Sequence, residues 1–227
     1  MTPRTTHRLL VVNLRLNSCL DATSRRLRRS VTAVYSILVI GASAGGLEPL
    51  RKLIAGLPAP CPMAVFVVLH IGARPSKLPG LLNRNSRLPA SFAQPDTPIR
   101  SGRIYVAPPD HHMLLETGCI RLSQGPKVRG TRPAVDPLFQ SAATAYGEQV
   151  VGVILSGADG DGAAGLRAIQ AAGGLVLVQR PDDAAVPSMP LAAIIKDHPD
   201  ACLPVEGLAR RIAAECYGEP QEASQQV

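Results

Sequence analysis

From residue 34 onward, short runs of Val, Ile and Leu alternate with longer stretches whose apolar positions recur three and four apart. The runs SILVIGA (36–42), MAVFVVLHI (63–71), RIYVA (103–107), HMLLE (112–116), CIRLS (119–123), QVVGVILSG (149–157) and GLVLVQR (174–180) read as strands. In GLEPLRKLIAGL (46–57), Leu47, Leu50, Leu53, Ile54 and Leu57 fall on one helical face. The same spacing predicts helices over 136–147, 162–173 and 205–216, the second of these three closed by Gly173 and Gly174.

Strands that are apolar without alternation are buried on both faces, and strand–helix alternation joins parallel neighbours. The expected fold is therefore α/β: doubly wound, three-layer α/β/α, with a mostly parallel sheet. Residues 103–123 break the rhythm. Their three short strands are joined by PPDH and TG, which is tight-turn chemistry, so an inserted antiparallel meander is expected there. Nothing divides 34–217 into two domains. Residues 1–33 read as a basic, disordered leader and 218–227 as a flexible tail.

Composition fits this picture. The chain has 227 residues, 46% of them hydrophobic but only 3% aromatic, with no Trp, so the core must be aliphatic. The net charge of +7 would suggest nucleic acid if it were spread over a face. Residues 1–33, however, hold seven Arg against one Asp, so six of those charges sit there and the remainder of the chain carries +1. With no basic face studded with aromatics, no nucleic-acid partner is expected. The leader's Arg-rich, acid-poor composition resembles a transit peptide and suits a disordered extension or an upstream translation start equally well. Arg15 interrupts its apolar run too early for a secretion signal. The longest central apolar run, MAVFVVL (63–69), is too short to cross a bilayer, so no membrane insertion is expected. Five scattered cysteines with no CxxC argue against structural zinc and a disulfide scaffold, and reduced thiols in a cytoplasmic protein are expected.

In an open parallel sheet, reactive groups collect where strands end. Three predicted strands finish in such groups: Ser43 in GASAG, His70 in VVLH, and Asp159 with Asp161 in SGADGDG. Gly41-Ala42-Ser43-Ala44-Gly45 matches G-x-S-x-G between a strand and a helix, where small neighbours let a serine stand clear of the sheet. The following helix aims unpaired N–H groups at the same spot. Such a turn cradles a phosphate as readily as it displays a nucleophile. A dinucleotide site, however, wants an acid at the end of the second strand, where this chain has Leu69-His70, and no GK[ST] follows for a P-loop. The DGDG stretch lacks a first-position calcium ligand and has Ala168 where the closing Glu would stand. His111 and His112, adjacent in a strand, point to opposite faces, so no metal is expected. No cofactor is expected either.

Taken in order, VIGASAGG, VVLHI, GRIYVAPPDHHM, VDPLFQSAA and LSGADGDGAAGL resemble the catalytic domain of the bacterial chemotaxis protein-glutamate methylesterases (CheB-type), from about Ser36 to Ile195. The resemblance implies a Ser–His–Asp triad that hydrolyses glutamate methyl esters on chemoreceptor helices, with glutamine deamidation in many relatives. It places Ser43 as nucleophile, His70 as general base and Asp161 as triad acid, with the backbone N–H groups of Ala44 and Ala158 holding the oxyanion. The implied partner is a methylated chemoreceptor's cytoplasmic helices or a similar methylated protein. Ala44, Leu69, Asp110 and Asp159-Gly160 depart from the family's usual Thr, Gln, Gly and Gly-Asn, which bears on substrate preference and rate. The family's phosphoacceptor receiver domain has no counterpart in 33 Arg-rich residues. A free-standing catalytic domain, open or controlled by a separate regulatory protein, is the expectation. A catalytically degenerate receptor- or anion-binding module of the same fold is the alternative.

Overall fold

The computed structural model describes residues 36–217, and the leader and tail expected at 1–33 and 218–227 lie outside the described residues. Seven strands of the described residues form one parallel sheet in the order β3-β4-β2-β1-β7-β8-β9. They are β1 (Ile37–Ala42), β2 (Ala64–Leu69), β3 (Ala90–Phe92), β4 (Ile104–Val106), β7 (Val150–Ile154), β8 (Leu175–Gln179) and β9 (Ala201–Leu203). A separate antiparallel hairpin pairs β5 (His112–Glu116) with β6 (Cys119–Ser123). Among the described residues, six α-helices flank the sheet: α1 (Leu47–Ala55), α2 (Leu78–Asn83), α3 (Val135–Tyr146), α4 (Ala163–Ala171), α5 (Ser188–Asp197) and α6 (Val205–Tyr217).

Successive residues of β1 feed opposite core layers. Leu38, Ile40 and Ala42 pack with Leu50, Leu53 and Ile54 of α1, Leu82 of α2 and Leu208 and Ile212 of α6. Ile37 and Val39 pack with Leu138 and Phe139 of α3, Leu166 and Ile169 of α4, Met189 of α5 and Met113 of the hairpin. A fully buried Leu, Ile or Phe contributes roughly 1.5–3 kcal/mol. An exposed pair such as Arg51–Glu48 contributes at most about 1 kcal/mol. The aliphatic layers therefore hold the sheet and fix the heights at which its strands end.

The doubly wound sheet matches the sequence expectation, with one rearrangement. The 103–107 run is not the first strand of a meander: β4 lies between β2 and β3 in the parallel sheet. All three of its residues are buried, as a strand covered on both faces requires. Asp110, at φ 58°, turns the chain out of the sheet, and among the strands of the described residues β5 and β6 are the pair that runs antiparallel. The elements α2, β3, α5 and β9 were not expected. Two are three-residue strands. The two helices carry proline in the first turn, at Pro79 and Pro190, where the missing N–H has no intrahelical acceptor to lose.

Candidate active site

Strand β1 lies between β2 and β7. The helix after β1 packs in one core layer and the helix after β7 in the other. Their departure to opposite faces opens a crevice at the carboxyl ends of these strands, the position where doubly wound sheets bind ligands. Of the four side chains singled out at strand ends, Ser43, His70 and Asp161 converge there.

Ser43 follows β1 directly. Its N–H donates to Ser156 O at 2.9 Å, and its own carbonyl accepts from Gly46 N at 2.9 Å, which closes the turn. The left-handed residue of this turn is Gly45 (φ 70°), while Ser43 has no positive φ. A Cβ on Gly45 would stand 2.8 Å from Ala185 Cβ and 2.9 Å from Ser156 Oγ, so the position excludes side chains by both conformation and space.

His70 follows β2, its N–H donating to Ala42 O at 3.1 Å. The imidazole Nδ1 lies 3.0 Å from Ser43 Oγ and Nε2 lies 2.8 Å from Asp161 Oδ2. With Nε2–H donating to the carboxylate, Nδ1 is left as a lone pair facing the serine hydroxyl. The ring is 8% exposed and the Asp161 side chain fully buried.

Asp161 needs more than a histidine to remain ionised there. Its Oδ2 also accepts from Val135 N at 2.6 Å, and Oδ1 accepts from Asp136 N and Gly162 N, both at 3.0 Å. Two of these donors are the first residues of α3, where N–H groups have no partner in the helix and the dipole favours an anion. Burial is the largest single influence and pushes the carboxyl up. The His70 hydrogen bond and the Val135 and Asp136 N–H groups together outweigh it and hold the group below its ordinary value. Asp159 stands outside this relay and accepts from Asp161 N at 2.7 Å, shaping the loop.

Ala44, next to Ser43 in the chain, and Ala158, in the loop after β7, are both exposed. Their backbone N–H groups, and that of Gly45, have no acceptor among the described residues. The Asp-His-His run serves its loop instead. Arg132 grips Asp110 Oδ1 with Nε at 3.0 Å and Nη2 at 2.8 Å, while His111 and His112 hydrogen-bond the carbonyls of Pro109 and Pro126.

Two residues of the site's framework escaped the sequence reading. The buried Ser156 hydroxyl lies 2.9 Å from Ala44 O and 3.2 Å from Val186 O, and accepts from Val186 N at 2.9 Å. Gln179, buried at the end of β8, accepts Ser156 N at 2.9 Å and donates to Asp183. The available signal was a polar residue ending the apolar run LVLVQ.

Comparisons with known proteins identify the family and the fold. The family model described as CheB methylesterase matches residues 38–212. A protein of Anaeromyxobacter dehalogenans (strain 2CP-C), named protein-glutamate methylesterase/protein-glutamine glutaminase 2, is 42% identical over 79% of this chain and 53% of its own length. A Leptospira interrogans protein (serovar copenhageni), named putative protein-glutamate methylesterase/protein-glutamine glutaminase, is 37% identical over 77% of this chain and 92% of its own. The chain thus spans about half the length of some curated relatives and nearly all of others. The crystal structure of the Thermotoga maritima CheB methylesterase catalytic domain superposes with a TM-score of 0.75 at 29% identity, over 79% of this chain and 97% of that domain.

Proposed function

We propose that this chain, which belongs to the CheB methylesterase family, is a serine hydrolase that demethylates glutamate methyl esters on chemoreceptor-type proteins and releases methanol. Deamidation of glutamine side chains is the second reaction of the same site, as the names of the relatives suggest. The observation that carries this reading is the unbroken relay from Ser43 Oγ through His70 to Asp161 at the mouth of the crevice.

In the proposed reaction, His70 Nδ1 takes the hydroxyl proton as Ser43 Oγ attacks the ester carbonyl. Asp161 holds the ring in its Nε2–H tautomer and stabilises the imidazolium that forms. The free N–H groups of Ala44 and Ala158 face the tetrahedral oxygen as its charge develops. Methanol leaves with the proton from Nδ1. Water, deprotonated by the same nitrogen, then releases the glutamate carboxylate. No step calls for a metal or a cofactor. The proposed partner is a methylated chemoreceptor's cytoplasmic helices or a similar methylated protein, and the proposed setting of the reaction is the cytoplasm.

The test is methanol release from a methylated receptor fragment. Ser43→Ala is expected to lower kcat about 10⁵- to 10⁶-fold with the melting temperature unchanged. A serine-directed fluorophosphonate is expected to label Ser43. Methanol release that survives the substitution would overturn the assignment. An unlabelled Ser43 in a chain without turnover would favour the binding-module alternative.

A further inference from the structure

The relay does not use the cysteines, yet two of them meet. Cys61 lies in the segment leading into β2 and is 4% exposed. Cys216, in the last turn of α6, is half-buried. The two are 155 residues apart in sequence, and their Sγ atoms are 4.0 Å apart. The flanking residues bind as well: the Tyr217 hydroxyl donates to Pro60 O at 2.6 Å. The encounter is therefore part of how α6 closes on the sheet.

The thiols are chemically unequal. The Cys216 S–H beside it, and more weakly the Met63 backbone, draw the Cys61 thiol down to about 7 against the opposing effect of burial. Cys216 is pushed up, first by that same contact, then by burial and by Glu215. Burial likewise pushes the thiols of Cys119 and Cys202 up. Among the described residues, Cys61 alone combines thiolate character near neutral pH with a second sulfur at contact distance.

We propose that Cys61 and Cys216 are a modification site that a peroxide oxidises to a reversible disulfide. The Cys61 thiolate attacks the O–O bond of hydrogen peroxide, forming a sulfenic acid and releasing hydroxide, which takes up a proton. Cys216 sulfur then attacks Cys61 sulfur and displaces the second oxygen as water, using the Cys216 proton. Two thiols lose two electrons, and one peroxide becomes two waters. The sulfurs must close by about 2 Å to reach bonding distance, which is the scale of a side-chain rotation. Cys216 is the more exposed member of the pair, and hydrogen peroxide is little larger than water.

The crosslink would join the end of α6 to the amino edge of the sheet. The relay occupies the carboxyl edge, so the expected consequence is stability rather than a change in turnover. A covalent loop of this length constrains the unfolded chain strongly.

The test treats the full chain with hydrogen peroxide, blocks remaining thiols with iodoacetamide, and maps peptides without reduction. A Cys61–Cys216 crosslinked peptide is expected, lighter by two hydrogens and cleaved by dithiothreitol. The melting temperature is expected to rise by about 5–10 °C. Cys61→Ser and Cys216→Ser are each expected to abolish both effects. A triple variant, Cys19→Ser with Cys119→Ser and Cys202→Ser, is expected to retain them. Both thiols remaining open to alkylation after oxidation would overturn the proposal. So would a melting shift that persists in Cys216→Ser.

Discussion

A methyl group on Gly157 would stand 1.8 Å from Met189 Sδ, 2.7 Å from Met189 Cγ and 3.0 Å from Ser43 Cβ. Met189 is 1% exposed, so its thioether cannot relieve the clash by turning into solvent. The backbone cannot give way cheaply either, since Gly157 N donates to Val186 O at 2.9 Å and its carbonyl accepts Met189 N at 3.0 Å. The strain therefore falls on Met189 and on the serine. Overpacking of this kind costs about 1–3 kcal/mol. A misplacement of about 1 Å at a reacting group costs on the order of 10²-fold in rate. Gly157→Ala is expected to lose both stability and most of its methanol release. Gly80→Ala is the control: a Cβ there meets nothing within 4 Å, and alanine in a helix gains about 0.5–1 kcal/mol over glycine. Thermal melts beside esterase assays of the two variants check the contrast, and a Gly157→Ala enzyme with full activity would contradict it.

Between elements, the Ser156 hydroxyl fastens the loop after β7 to the turn after β1 through Ala44 O, and to the start of α5 through Val186. Ser156→Ala leaves the Val186 N–H without its acceptor and frees the Ala44–Gly45 peptide. A buried group left unsatisfied costs about 1–3 kcal/mol. The freed turn also carries two of the unpartnered N–H groups beside Ser43, which on the proposed mechanism act only as charge develops. Kinetics should then show kcat lowered about 10- to 100-fold with KM little changed. An unchanged kcat in a destabilised protein would reduce Ser156 to a purely structural role. This latch also shows what sequence could and could not reveal. Strands β1, β2, β7 and β8 were legible because burial on both faces leaves uninterrupted apolar runs, and Ser43, His70 and Asp161 stood out because each follows such a run. Ser156 bonds a carbonyl 112 residues away and Cys61 meets a thiol 155 residues away, contacts with no local signature. Strand β4 was misplaced for a related reason: three apolar residues do not say which neighbour they pair with.

At the scale of the whole molecule, two buried carboxyls act on stability in opposite directions. Asp161 is held below its ordinary value, so it contributes stability above the unfolded-state value of about 4 and loses it as pH falls through its lower folded value. Asp136, two residues into α3, is pushed up, first by burial and then by the nearby Asp161 charge, against the Gly165 N–H at 2.7 Å and Arg129 at 3.9 Å. In the window just above pH about 4 the folded protein therefore binds more protons at Asp136 than the unfolded chain does, and that group favours folding as the solution is acidified. At neutral pH the charged Asp136 is a cost. An asparagine keeps the acceptor for Gly165 and carries no charge, so Asp136→Asn is expected to be more stable than the native protein at pH 7. The advantage is expected to shrink toward zero near pH 4, where both Asp136 and its unfolded counterpart take up protons. General repulsion among the chain's excess positive charges grows in acid too, but it acts on both proteins alike, so the difference between them isolates Asp136. Urea unfolding of the pair at several pH values measures this difference directly. A variant less stable than the native protein at pH 7 would mean that the Asp136 charge, through Arg129 or the helix terminus, supports the fold more than its burial opposes it.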